Sequence, residues 1–508
     1  MNSRALVALL TVAVLWPTAP QAGKADDTLT WSTSRELAFT IPYFVTSREQ
    51  LIIESLSHDT LVYRDPKTGA YQPLLAKSWR WIDDTALEFK LRDDVVFQDG
   101  RPFGADDVVY TLNYVSRPDA GVITRANVGW IKQVDKVDET TVVVRTTRPF
   151  PAALEFLSGP DPIFPRGLFD GVRRDAAGRP SYAGVKPVGT GPYAVTEVRP
   201  GQSVTLTRND RYFDGPKGKP AIRTIVFRTI PDVQTQVAEL LAGGIDWMWE
   251  LNKDQADSLR EASRLSVVTA PSMRVNFLQL DAAGKSGDTP MKDIEVRRAI
   301  AHAIDRPTIA KTLVGEAASV IHSACYPSQF GCTQDVPTYP YDPARARAAL
   351  AASSWPKGFS INLLTYRDTD VAEAVAADLA KIGITVNIKV LEYKAMVDVI
   401  WGGKAQFVDS TWGSSSMNDV SAITSHFFQG GRDDYCLDPQ VSALLKTGDG
   451  ATDPQARRAA YNAALVKIQE KLCWLPMFSY SVDYAFSPDL SFTPTTDEIP
   501  QFYRSSWK

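Results

Sequence analysis

The sequence predicts an α/β fold in two lobes, with mixed sheets flanked by helices. Three observations carry this. At 508 residues the chain is too long for one ordinary domain and long enough for two or three cores. Strand and helix signals alternate: residues 222–230 read as a buried strand, 233–242 as a helix closed by Gly243 and Gly244, and 245–247 as a strand edge. Composition and periodicity then shift near Ser272, as they do where one lobe gives way to another.

Taken in order, the first 25 residues stand apart. Arg4 precedes an apolar run over 5–16, then Pro17, Pro20 and small residues follow, which describes a secretory signal peptide cleaved after Ala22 or Ala25. The run is too short to anchor in a bilayer, and no later stretch reaches the ~18 uninterrupted apolar residues of a membrane helix. The mature protein is therefore expected to be exported and soluble. A strand signal at 29–31 leads to a helix over 48–61. Strands at 79–82 and 86–91 flank a turn at Asp83 and Asp84, and a tight turn follows at 99–103. Asp106 and Asp107 open the next helix, where acids favour the dipole, so they are read as caps. A strand at 142–144 and a short helix at 150–157 precede a loop-rich segment and strands at 193–198 and 203–208. Gly189-Thr190-Gly191 would suit a phosphate only with a helix after it, and Pro192 and a strand stand there instead. Beyond Ser272, helices are predicted at 296–304, 344–351, 370–382 and 456–471, and strands at 361–366, 384–390 and 475–480.

The formal charge of −4 and scattered Lys and Arg leave no clustered basic face, so nucleic acid is not an expected partner. Export makes the four cysteines readable as disulfides. Cys325 and Cys332 flank a loop whose Pro327 and Gly331 let its ends meet, and Cys436 and Cys473 form the second expected pair. Zinc is the rival, but the cysteines lack C-x-x-C spacing and no nearby histidine completes a set. His58, His302, His322 and His426 are widely separated, so no metal site and no cofactor is expected; His426 alone lies near the candidate loop.

That loop is the stretch Asp409-Ser410-Thr411-Trp412-Gly413-Ser414-Ser415-Ser416-Met417-Asn418-Asp419, after a short strand signal at 405–408. One tryptophan, several hydroxyls and an acid at each end suit holding a polar organic molecule more than turning it over. A polar surface turn with one packed tryptophan is the plain alternative. A hydrolase would need a nucleophile near a base, and no G-x-S-x-G elbow is present; a glycosidase-like pair of carboxylates stays open.

The ordered motifs resemble those of the extracytoplasmic solute-binding proteins of peptide-, opine- and nickel-type ABC importers, solute-binding protein family 5. They run from Tyr71, Pro73, Leu75-Ala76 and Ser78-Trp79 through Phe89, Leu91-Arg92, Phe97, Asp99-Gly100 and Ala105-Asp106-Asp107-Val108. Gly189-Thr190-Gly191-Pro192-Tyr193 and Leu240-Leu241-Ala242-Gly243-Gly244-Ile245-Asp246 follow. Val296-Arg297-Arg298-Ala299-Ile300, Ile304-Asp305-Arg306, Tyr341-Asp342-Pro343 and Leu379 with Ile382-Gly383-Ile384 complete the set. The resemblance implies three domains in two lobes: domain I from 26–70, 186–272 and 479–508, domain II at 71–185 and domain III at 273–478. It implies hinge crossings near 271–274 and 478–482, closure around a ligand, a monomeric periplasmic protein, and delivery to permease subunits in the inner membrane.

It also implies a ligand set. Arg367 stands where relatives place an arginine for a ligand carboxylate, a group the guanidinium fork matches. Peptide binders carry an acid three residues after the tryptophan matching Trp412; here that place holds Ser415. Asp409 or Asp419 is left to meet an amine, and a carboxylated, opine-like or sugar-like solute gains ground beside a peptide or a metal chelate. Trp412, Gly413, Ser414 and Ser415 are expected at the ligand, with Trp247 facing Trp412 from the other lobe and Tyr43 and Phe44 on an early loop lining the cleft.

Overall fold

The computed structural model describes residues 23–37, 41–44, 47–176, 178–249, 251–262 and 264–508. The signal peptide expected over 1–25 falls outside this range except for its last three residues.

The first lobe begins with β1 (Thr28–Thr33) and α1 (Arg48–Ser57). Ser47 caps α1 by accepting from the Gln50 N–H. The helix stops at Ser57, short of the predicted 61, because His58 turns extended and its N–H closes on the Glu54 carbonyl. Gly189 and Gly191 press against that end. A Cβ on Gly189 would lie 2.2 Å from the Ser57 carbonyl oxygen, and one on Gly191 2.5 Å from the Ser57 carbonyl carbon. The paired glycines thus serve close backbone approach.

An inserted unit follows. Its sheet runs β2 (Ala76–Asp83), β3 (Ala86–Leu91), β5 (Thr141–Thr146), β4 (Ile131–Asp138) in spatial order, antiparallel throughout, with α2 (Ala105–Val115) packed on it. Asp107 caps α2 by accepting from the Gly104 N–H. The chain then returns through β6 (Tyr193–Arg199), β7 (Ser203–Arg208), β8 (Thr224–Thr229), α3 (Val233–Ala242) and β9 (Trp247–Met248).

The second lobe contains α4 (Ile294–Ala303), α5 (Pro343–Ala352), β11 (Phe359–Thr365), α6 (Thr369–Ala380), β12 (Ile384–Val390), α7 (Tyr393–Trp401), β13 (Phe407–Trp412), α8 (Ser421–Phe427) and α9 (Pro454–Lys471). Two long strands join the lobes: β10 (Ser266–Leu280) and β14 (Trp474–Phe486), paired antiparallel along most of their length. One eleven-stranded sheet results, in the order β6-β7-β8-β1-β9-β14-β10-β13-β11-β12, with a short strand Ser319–Val320 on β14. β1 is parallel to β8 and β9, and β11 is parallel to β12 and β13, so each lobe has its own βαβ half. The register slips between Pro271 and Val275, where the Met273 N–H turns away to the Thr496 carbonyl at 2.8 Å. The predicted crossings at 271–274 and 478–482 fall inside these two strands.

Two expectations need correction. Asp409, Ser410, Thr411 and Trp412 are strand, not loop: they pair with Leu278, Phe277, Asn276 and Val275 of β10. Their polar composition hides this because the Asp409 carboxylate is buried and hydrogen-bonded. Trp247 is core, not ligand wall. It is 0% exposed, with Trp31 at 6.0 Å, Phe502 at 5.1 Å and Tyr484 at 5.7 Å between ring centroids. Trp247 and Trp249 do share one face, 5.9 Å apart, but that face is the inner one.

Both expected disulfides form, Cys325–Cys332 and Cys436–Cys473. Among the described residues no helix is long and apolar enough to cross a membrane. Trp247→Ala should lower unfolding free energy by about 3–5 kcal/mol in urea titrations, while the affinity of the folded fraction for any solute stays at the wild-type value.

Candidate functional site

The turn after β13 is where the lobes meet. Gly413 leads into Ser414–Ser416, in which Ser414 (φ 52°) and Ser416 (φ 64°) are left-handed, a conformation non-glycine residues hold only when their surroundings enforce it. Those surroundings come from the first lobe. Arg64 Nη2 donates to the Ser416 carbonyl at 2.8 Å, the Ser416 hydroxyl donates to the Asp497 carbonyl at 2.7 Å, and Arg48 donates to the same hydroxyl. The Asn418 N–H donates to Glu155, which also pairs with Arg64 at 3.2 Å. The Ser414 side chain is wholly buried, its hydroxyl without a partner. Ser415 is the middle residue of the turn; its side chain lies outside the described set.

From the second lobe the turn is braced by the Cys325–Cys332 loop. Gln329 Nε2 donates to the Met417 carbonyl at 2.9 Å, the Phe330 N–H to the Asn418 carbonyl at 2.9 Å, and the Val420 N–H to the Phe330 carbonyl at 3.0 Å. Asp419 is spoken for: Arg457 holds both its oxygens, at 2.7 and 3.0 Å, and Ser421 N–H and hydroxyl also donate to it. It anchors α8 and does not face a ligand, which corrects its candidacy for an amine.

Gly413 sits under two guanidiniums. A Cβ there would be 3.1 Å from Arg48 Nη2 and 3.2 Å from Arg274 Nη2. Both arginines bind Glu498, at 3.1 and 3.0 Å, and the Ser272 hydroxyl donates to it as well. Burial pushes the Glu498 carboxyl up, but Arg274 and Arg48 outweigh it and bring it down to about 2. This cluster joins α1, the hinge strand β10 and the C-terminal segment.

Arg367 follows β11. Its Nε holds Asp368 at 3.2 Å, its guanidinium lies 5.5 Å from the Tyr480 ring, and 40% of the side chain is exposed. Its charge is felt at Arg274, so the two stand near each other at the lobe junction. Beneath lies Asp409, accepting from Asn276 Nδ2 at 2.9 Å and Thr365 Oγ1 at 3.3 Å and pushed up to about 7 chiefly by burial. It supports the wall and is shut off from solute, so it too is corrected from amine ligand to buried support. Trp412 is half-buried; its ring stacks on His426 at 4.6 Å and its indole N–H donates to the Ala422 carbonyl.

Behind the turn lies a partly open cavity of about 170 Å³. Its walls come from α1 and the C-terminal segment, from the inserted unit around Val122, Glu155 and Pro160, and from Ser416 and Met417 of the second lobe. Tyr43 lines it, with its hydroxyl on the Pro162 carbonyl at 2.9 Å. Phe44 instead stacks on Tyr182 at 3.4 Å. Arg367 and Trp412 do not line this cavity. Arg48, Arg64, Arg274, Glu155 and Glu498 were not singled out from the sequence; no motif links residue 48 or 274 to residue 498, and only the fold brings them together. No group of three or more His, Cys, Asp or Glu among the described residues could hold a metal ion.

Two outcomes follow from this geometry. Glu498 is depressed in the folded state, so its contribution is complete above an unfolded glutamate's value of ~4.3 and drains as pH falls towards 2; it is on the order of 3 kcal/mol. Denaturation from pH 7 to 2.5 should show the stability gap between wild type and Glu498→Gln narrowing below about pH 4.5. The double change Cys325→Ser with Cys332→Ser should cost about 2–3 kcal/mol, and hydrogen exchange should speed up over 413–420.

Comparison with known proteins agrees with this architecture. The family model described as bacterial extracellular solute-binding proteins, family 5 Middle, matches residues 70–434. A probable di/tripeptide-binding protein 5 of Pseudomonas aeruginosa is 27% identical over 467 residues, covering 85% of this chain and 87% of the relative. Among solved structures, NikA from Brucella suis in complex with Fe(III)-EDTA superposes with a TM-score of 0.83 at 24% identity, covering 95% of this chain and all of that one. A dipeptide-binding protein from Pseudoalteromonas in complex with Met-Leu gives 0.79 at 22%, covering 95% and 100%. With the matched segment spanning most of its length, the chain belongs to the bacterial extracellular solute-binding proteins of family 5.

Proposed function

We propose that this protein is the exported, periplasmic capture component of an ABC importer, binding a peptide-like or carboxylated small solute between its lobes and presenting the closed form to a membrane permease. The observation that carries the reading is the turn at 413–416. It crosses from the second lobe to hydrogen-bond Arg48, Arg64 and Asp497 of the first, with a partly open cavity behind it. A solute held there is walled by both lobes, so its binding energy can drive a hinge closure.

The relative named for di- and tripeptides favours a peptide-like solute. Arg367, exposed beside Arg274, is the group to meet its carboxylate, by two parallel hydrogen bonds. Ser415 in place of an acid leaves the amine end without a carboxylate on this loop. Asp409 and Asp419, the acids at the two ends of the loop, have structural partners in the second lobe, which fits a support role more than a catalytic one.

Calorimetry against di- and tripeptides, glutathione and opines, with small-angle scattering of the same mixtures, tests this. A binder should compact with its solute and return it unchanged by mass spectrometry. Arg367→Ala should weaken carboxylated solutes by ~2 kcal/mol or more, about thirtyfold. Compaction with none of the panel, or unchanged affinity in the variant, would remove the reading or its carboxylate contact respectively.

A further inference from the structure

The cavity behind the turn has more acid than its own bases answer. Arg64 is matched by Glu155 at 3.2 Å. Lys217 is matched by Asp59 at 2.8 Å, and it also donates to the Ser55 and His58 carbonyls. Asp497 accepts from the Thr495 hydroxyl and the Ile499 N–H. Burial brings His58 down to about 3, so it is neutral.

Glu54 is left over. It stands on α1, is 7% exposed and lines the cavity, and among the described residues its carboxylate has no hydrogen bond and no ion pair. Asp161 lies in the facing wall between Pro160 and Pro162, both of which line the cavity. It is 0% exposed, and neither carboxylate oxygen has a partner. Burial pushes both groups well up; the charge of Lys217 opposes this at Glu54, and the charge of Glu54 pushes Asp161 further. Buried carboxylates without counter-charges are rare because they are costly. Glu54 lines the cavity, Asp161 lies just behind its wall, and the one nearby base, Lys217, is already paired with Asp59, so this is a place where a further positive charge can be brought in from outside.

We propose that this cavity is a cation subsite, in which an ammonium or guanidinium group of the solute sits on the Glu54 carboxylate with Asp161 behind it. The size agrees. At about 170 Å³ the space suits one side-chain-sized group, well below the roughly 300–1,000 Å³ of pockets for whole drug-sized ligands. Leu51, Leu74, Val122 and Met417 offer apolar cover for an alkyl stem. The chemical class is a basic solute: a peptide or amino-acid conjugate carrying a lysine-, ornithine- or arginine-like arm. This rests on the inter-lobe capture reading but depends on different atoms.

The test uses two probes of like shape, n-butylammonium and n-butanol, titrated calorimetrically into the full mature chain, with Glu54→Gln and Asp161→Asn alongside. The ammonium should bind at least tenfold tighter than the alcohol in wild type. Glu54→Gln should abolish that preference and Asp161→Asn should reduce it. The second variant keeps the test sharp should the first fold poorly. No ammonium binding in wild type, equal binding of the two probes, or a preference that survives in both variants overturns the subsite. Scattering with the peptide panel separates the two readings: compaction by peptides without ammonium preference sinks the subsite alone, and ammonium preference without compaction by any solute sinks inter-lobe capture alone.

Discussion

A single buried carboxylate, Glu498, ties together three parts of this chain that lie far apart in sequence. It comes from the C-terminal segment and is held by Arg48 of the first lobe and Arg274 of the hinge strand, with Ser272 at the crossing. A buried charge losing a partner is penalised far more than the pair is worth over an apolar substitute. The three groups are therefore constrained to stay together, and α1, the hinge and the C-terminal segment with them. The lobes can then swing only about the paired strands β10 and β14. Continuous backbone hydrogen bonding lets these bend but not slide, and the register slip between Pro271 and Val275 supplies the place to bend.

The contact at the turn is built unequally. On the second lobe, Ser416 and its neighbours are held by the Cys325–Cys332 loop, by backbone pairing to Phe330 and by the buried Arg457–Asp419 pair. On the first lobe they meet two arginines, a carbonyl and Glu155, and Met417 packs into the apolar cluster around Leu74. When the lobes part, the turn therefore travels with the second lobe; the polar bonds it gives up are ones water can replace, and the Met417 contact is the apolar part that closure restores. The left-handed serines cost of order 1–3 kcal/mol each, and that strain is carried by the braced side. An opening motion leaves the turn shaped for re-docking, so the ordering cost is not met again at each capture.

The regular elements were legible in the sequence, because period and cap agree in each. The 233–242 helix begins after Asp232 and ends at a left-handed Gly243, and the 384–390 strand matches residue for residue. The long hinge strands were only partly legible: Pro271 and Ser272 read as a break, whereas the structure absorbs them as an irregularity within one strand. Asp409 to Trp412 read as loop because strand signals are apolar, and the buried Asn276 and Thr365 that satisfy Asp409 lie far away in sequence. Trp247 read as a ligand platform because a strand alternation shows that residues share a face and not which face is covered. The charge pairs Arg48–Glu498 and Arg64–Glu155 were not legible, since pairs so far apart in sequence leave no local pattern.

One departure from the family pattern ties these threads together. The family resemblance implies an acid three residues past the tryptophan for a peptide amine, and this chain carries Ser415. The two acids that remain near that turn, Asp409 and Asp419, are both consumed within the second lobe. If the solute's positive charge is to be met, the counter-charge has to come from the facing lobe. There, beyond Ser416 and Met417, Glu54 lines the cavity, with no hydrogen bond or ion pair at its carboxylate among the described residues. Moving the acid across the crevice alters what closure measures. An acid on the mobile turn reports that a solute has reached that turn. An acid on α1 holds the solute in the first lobe beforehand, and the turn of the second lobe then closes over it, so recognition and closure become separate steps on separate lobes.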